Sequence, residues 1–161
     1  MAGLLLTVVA AAVACTEETR DRQPDGTGGS GAATTGLGGN AASGPYQLCV
    51  DTINQYRASV GVAPLQRWTD AESCVDGQAQ TDSQHPDTPH YAFGQCGESA
   101  QDECPGWPGP PEQLIVDCLA MMWAEGPGGG HYENMRGGYS QVACGYYQTP
   151  NGEWWATQSF R

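Results

Sequence analysis

Seven cysteines, at positions 15, 49, 74, 96, 104, 118 and 144 of 161 residues, constrain this chain more than any other feature. Thiols at that density are not tolerated as bystanders in a reducing cytosol; they call for an oxidising compartment, where they pair. A route to one stands at the start. "MAGLLLTVVAAAVAC" is an apolar run ending in small residues, too short to cross a bilayer and shaped like an export signal, although it lacks a positive leading region.

The end of that run, "AVAC" from Ala12 to Cys15, has the form of a bacterial lipobox, so residues 1–14 are expected to be removed and Cys15 to carry lipid. The rival reading is a plain signal peptide cleaved near Ala14. Setting Cys15 aside leaves Cys49, Cys74, Cys96, Cys104, Cys118 and Cys144, an even set that can close three disulfides whose pairing the spacing leaves open. Residues 15–44 hold almost no large apolar side chain and cannot bury enough surface to offset their ordering entropy. They read as a flexible tether that lifts a folded domain, residues 45–161, from a membrane surface. Thr16 after the cysteine, with no Asp there, is similar to lipoproteins sent to the outer membrane. The expected location is therefore the cell envelope, lipid-anchored, or secreted if the rival reading holds.

Charge narrows the partners. The chain has 18 acidic residues against 6 basic ones, all arginine, for a net charge near −12. That balance excludes nucleic acid, whose phosphates demand Lys and Arg, and leaves no polybasic grip on anionic lipid, so membrane contact is expected through the anchor alone. A soluble monomer fits it well.

Within the domain, Tyr46, Cys49, Val50, Ile53, Arg57 and Val60 recur at helical spacing behind Pro45 and before Gly61. A second helix is expected after the capping-box pattern Thr69 to Glu72, with Ala71, Cys74, Val75 and Ala79 as its stripe. Residues 83–109 read as loop, with one helical turn around Glu98 to Asp102. A third helix is launched by Pro110 and Pro111 and runs to about Glu125, burying Leu114, Ile115, Cys118, Met121 and Met122 and carrying Glu125 onto its core face. "SQVACGYY" and "GEWWATQSF", joined by Asn151-Gly152, predict a hairpin over roughly Gln141 to Tyr147 and Glu153 to Phe160. Helices first and strands last make the fold class α+β.

Chemistry has few candidate residues. The histidines are His85, His90 and His131. "HYENM" lacks the spacing that puts two imidazoles on one helical face, no Gly-x-Ser-x-Gly elbow occurs, and a phosphate loop needs a lysine the chain does not have. What remains is His90 and Glu98 in "HYAFGQCGESAQ", Glu125 after the third helix, and His131 behind the glycines of "GPGGGHYENM". An imidazole pair with carboxylates suits Zn²⁺ or another divalent cation. The plainer alternative is that each is a surface loop residue.

These segments, in this order, resemble the CAP superfamily of cysteine-rich secretory proteins, venom antigens and plant pathogenesis-related proteins, in its bacterial form. The resemblance covers about Leu48 to Phe160 and rests on "LCVDTINQYRASVGVAPLQRW", "CGESAQ", "MMWAEG" and "GHYENM" followed by the two strands. It implies a three-layer α-β-α sandwich whose cleft holds two His and two Glu, here His90, Glu98, Glu125 and His131, with His90 and His131 as the metal pair. Two departures stand out. Trp123 and Glu125 are one residue apart where the family has two, and His85 competes with His90, which is preferred for its distance to Gly97-Glu98.

The leading function that follows is a non-enzymatic extracellular binding module, its partner a small molecule, lipid, glycan or protein. The alternative is a metal-dependent hydrolase with Glu98 or Glu125 as base on a metal-activated water. A third reading is a purely structural, disulfide-stapled surface domain.

Overall fold

The computed structural model describes residues 44–161, so the signal run, Cys15 and the tether lie outside the described residues. Helix α1 spans Pro45–Ser59, strand β1 Gln66–Arg67, helix α2 Glu72–Ser83, strand β2 Ala100–Trp107, helices α3 and α4 Pro111–Ala124 and Gly130–Arg136, and strands β3 and β4 Gln141–Gln148 and Trp154–Phe160. The strands form one mixed sheet in the order β1-β3-β4-β2, with β1 parallel to β3 and the other pairs antiparallel. This is an α+β fold, as the order of elements predicts.

The sheet is buried on both faces, and β3 displays the reason. Val142 and Cys144 join Ile53, Leu119, Met135 and Phe160 in the core under α1, α3 and α4, while Ala143 joins Trp68, Ala71 and Val75 in the core under α2. Alternation along one strand thus feeds two cores and makes three layers. Gly145 lies on the α2 side, where a Cβ would come 2.2 Å from the carbonyl carbon of Val75, so only glycine lets helix and sheet approach this closely. The disulfides cross-link the layers: Cys49–Cys144 ties α1 to β3, Cys104–Cys118 ties β2 to α3, and Cys74–Cys96 ties α2 to the segment before β2.

Several expectations need correction. The loop read over 83–109, with its helical turn at Glu98 to Asp102, contains β2 instead, paired with β4 along its length and bulged between Cys104 and Trp107. The capping box does not form: Thr69–Ala71 is a turn of 3-10 helix, and Glu72 turns to Arg67, which donates from Nε at 2.5 Å and from Nη2 at 2.9 Å. Met121 is 59% exposed and Leu119 is buried in its place. At about 100° per residue the buried arc of α3 runs from Leu114 to Leu119, and Met121 falls about 20° outside it. Val60 is likewise exposed, as the residue capping α1 before Gly61 turns left-handed.

Candidate functional site

Two segments that the fold brings together carry all three histidines. The first, a strap between α2 and β2, has little regular backbone pairing, so its N–H groups need other acceptors. Buried carboxylates supply them at every second residue. His90 donates its N–H to Glu103 Oε2 (3.1 Å), Ala92 to Asp82 Oδ1 (2.7 Å), Gly94 to Glu98 Oε1 (2.6 Å) and Cys96 to Glu98 Oε2 (3.0 Å). Glu98 also accepts from Gln78 Nε2. His90 sits in the left-handed region at φ +58°, a conformation the strap imposes on a non-glycine residue.

The second segment is α4. His131 lies in its first turn, and Glu125 is the C-cap of α3 rather than a core-facing side chain. Both are partly exposed. Glu125 accepts from the His131 backbone N–H at 3.1 Å and meets His131 Nδ1 at 2.5 Å, a pairing that lowers the Glu125 pKa. A Cβ on Gly129 would meet Glu125 Cβ at 2.4 Å, so the glycine run is what lets α4 fold back onto that carboxylate.

His85, His90 and His131 line one cavity of about 310 Å³, with Pro86, Pro89, Glu103, Pro105 and Trp155. Each imidazole meets an oxygen through Nδ1: Thr81 O for His85 (2.9 Å), Gln101 Oε1 for His90 (2.9 Å) and Glu125 Oε1 for His131. With Nδ1 donating, the lone pair of each ring rests on Nε2, the nitrogen left to bind a ligand. His85 is further held by a face-to-face stack on Tyr91, centroids 3.7 Å apart.

Of the four residues expected in the cleft, the fold brings His90 and His131 to this cavity and Glu125 to its edge through His131. Glu98 is not among the lining residues, and its oxygens are engaged by three donors. Among the described residues no group of three or more His, Cys, Asp and Glu stands at metal-holding spacing.

Three buried carboxyls were not legible as site residues. Asp102 is fully buried, accepts from Asn134 Nδ2 at 2.8 Å, and has its pKa pushed up to about 7 by burial, against the pull of Asn134 and of the nearby His131 and His90. Burial also raises Asp82 and Glu103. Strand alternation, had β2 been seen, would have put Asp102 and Glu103 on opposite sheet faces, one toward α4 and one toward the strap.

With this fold and cleft, residues 50–160 match the family model of the cysteine-rich secretory protein (CAP) family, and the chain belongs to that family. No curated protein matches the chain significantly. The motif residues behind the resemblance serve the scaffold: Asn54 exchanges two hydrogen bonds with the backbone of Leu65, and buried Arg57 donates to the carbonyls of Ala63, Met135 and Gly137.

Proposed function

We propose that the chain is an extracytoplasmic, lipid-tethered binding module whose histidine cavity takes a divalent metal of the Zn²⁺ class, held by Nε2 of His90 and His131, and through it a small molecule, lipid, glycan or protein partner. The observation that carries this is the pairing of each Nδ1 with an oxygen while both rings line one cavity. Oxygen partners on the outer nitrogen are how metal-binding histidines are fixed in tautomer and orientation. Two protein ligands leave the remaining positions to water or to the partner. Three disulfides fit an oxidising compartment.

The hydrolytic alternative loses the two bases that the sequence offers for it, Glu98 and Glu125. A general base must have an oxygen free to take a proton from a metal-bound water. Glu98 spends both oxygens on three donors, and Glu125 spends both on His131.

Calorimetry with Zn²⁺ on His85→Ala, His90→Ala and His131→Ala variants tests the site. Loss of binding in the latter two, with His85→Ala near wild type and affinity falling on acidification as imidazoles protonate, is the expected result. Loss in His85→Ala alone would reassign the first ligand, and no loss in any would end the metal reading. The tether has its own test: Cys15→Ser should abolish acyl labelling, and a variant that still labels and partitions into detergent would refute lipidation at Cys15.

A further inference from the structure

Between α2 and the sheet lies a second polar cluster, built from oxygen alone. α2 runs along β3, from Val75 packed on Gly145 to Ser83, which shares a cavity wall with Tyr147 and Trp155, and so runs antiparallel to β4. Gln78 is fixed to β4 by the hydrogen bond from Ser159 Oγ at 2.9 Å. Four residues along a helix advance about 6 Å and two along a strand about 6.8 Å, so Asp82 comes to lie over Thr157. Thr157 is the cross-strand partner of Glu103, which places their side chains side by side on the α2 face. The field of Asp82 is felt at Glu103, in keeping with that placement.

Each of these residues is more than nine-tenths buried, at 1% exposure for Asp82, 8% for Glu103 and 0% for Thr157. One oxygen of each carboxylate is used by the strap, at Ala92 and His90. The other oxygen, Asp82 Oδ2 and Glu103 Oε1, has no partner, and neither has Thr157 Oγ1. Two carboxylate oxygens and a hydroxyl, all buried and all unpaired, carry a high desolvation cost unless something bridges them. Burial raises the pKa of both acids, the behaviour of a pair short of compensating charge.

We propose that Asp82 Oδ2, Glu103 Oε1 and Thr157 Oγ1 form a binding site for one hard divalent cation of the Ca²⁺ class. A hydroxyl and two carboxylates are hard oxygen donors, which Ca²⁺ accepts in irregular shells while Zn²⁺ prefers nitrogen and sulfur. Glu103 also lines the histidine cavity, through which water can complete the coordination. Ca²⁺ here neutralises the carboxylates that clamp the strap, and so stabilises the segment that carries His90.

Titration of chelator-stripped full-length protein with CaCl₂, by calorimetry and by thermal scanning, tests the site. A single Ca²⁺ equivalent with a raised melting temperature is expected, weakened about tenfold or more in Asp82→Asn and in Thr157→Val, a near-isosteric change that keeps the fold. His131→Ala should leave the Ca²⁺ response intact while losing Zn²⁺, which separates this site from the histidine pair. No melting shift at about 10 mM Ca²⁺, above the millimolar range of weak extracellular sites, would overturn the proposal and leave protons as the neutralising species. An equal shift in wild type and both oxygen-donor variants would also overturn it, assigning the ion to the acidic surface.

Discussion

Asp102 puts a charge where the fold least tolerates one. Its carboxyl has a folded pKa of about 7 against an ordinary 3.8, because burial disfavours the ion. Between those values the native state holds more protons than the unfolded chain, so stability falls as pH rises through that window and levels off above it. Asp82 and Glu103, shifted in the same direction, add to the same slope. Urea unfolding should accordingly give a higher midpoint at pH 5 than at pH 7.5. Asp102→Asn keeps the acceptor for Asn134 Nδ2 and removes the ionisable group, so it should flatten the slope and raise the midpoint at pH 7.5. A wild-type midpoint that climbs steadily over this range would contradict the burial argument. The histidines, by contrast, were visible in the sequence because there are only three; an Asp among 18 acidic residues carries no such signal.

The strap and β2 explain each other's obscurity. α1, α3 and the final hairpin were legible because their apolar residues repeat with one period and their ends carry Pro or Gly. β2 reads "AQDECPGW", and its first five residues are all buried, yet no apolar alternation survives in it. Gln101 serves His90, Asp102 serves Asn134, Glu103 serves the strap, and Cys104 is cross-linked. Hydrogen bonds and a cross-link to the strap, α4 and α3 have overwritten the pattern that betrays a strand. α4 failed differently, being seven residues long and too short to show a period. Because the strap hangs from carboxylates, Glu98→Gln should cost about 2–3 kcal/mol: one acceptor oxygen becomes an NH₂ facing a backbone N–H or the Gln78 amide. Hydrogen exchange at Gly94 and Cys96 should accelerate well beyond any change at Ile53. Unchanged protection at both amides would mean that the disulfide at Cys96, not Glu98, fixes the strap.

At the scale of the whole domain, the three disulfides divide the work of stability and access unequally. Cys49–Cys144 closes a separation of 95 residues, Cys74–Cys96 one of 22 and Cys104–Cys118 one of 14. On chain entropy alone the first contributes most, about 4.7 kcal/mol against roughly 3 for each of the others. Access runs otherwise. Cys49, Cys144, Cys104 and Cys118 are buried at 2% exposure or less, whereas Cys74 is exposed and Cys96 half-buried. A thiolate reductant must reach sulfur to exchange with it. Limiting reductant on folded protein should therefore free two thiols first, at Cys74 and Cys96, and alkylation with peptide mapping reads the order directly. The remaining four should stay paired until the domain unfolds, since all of them lie in the core under α1 and α3. The partly reduced protein should keep most of its melting temperature while its strap, released from α2 at Cys96, loses protection at His90 and its neighbours. First appearance of thiols at Cys49 or Cys144 would mean that the core under α1 opens more readily than the strap, against everything the packing of Val142, Cys144 and Phe160 implies.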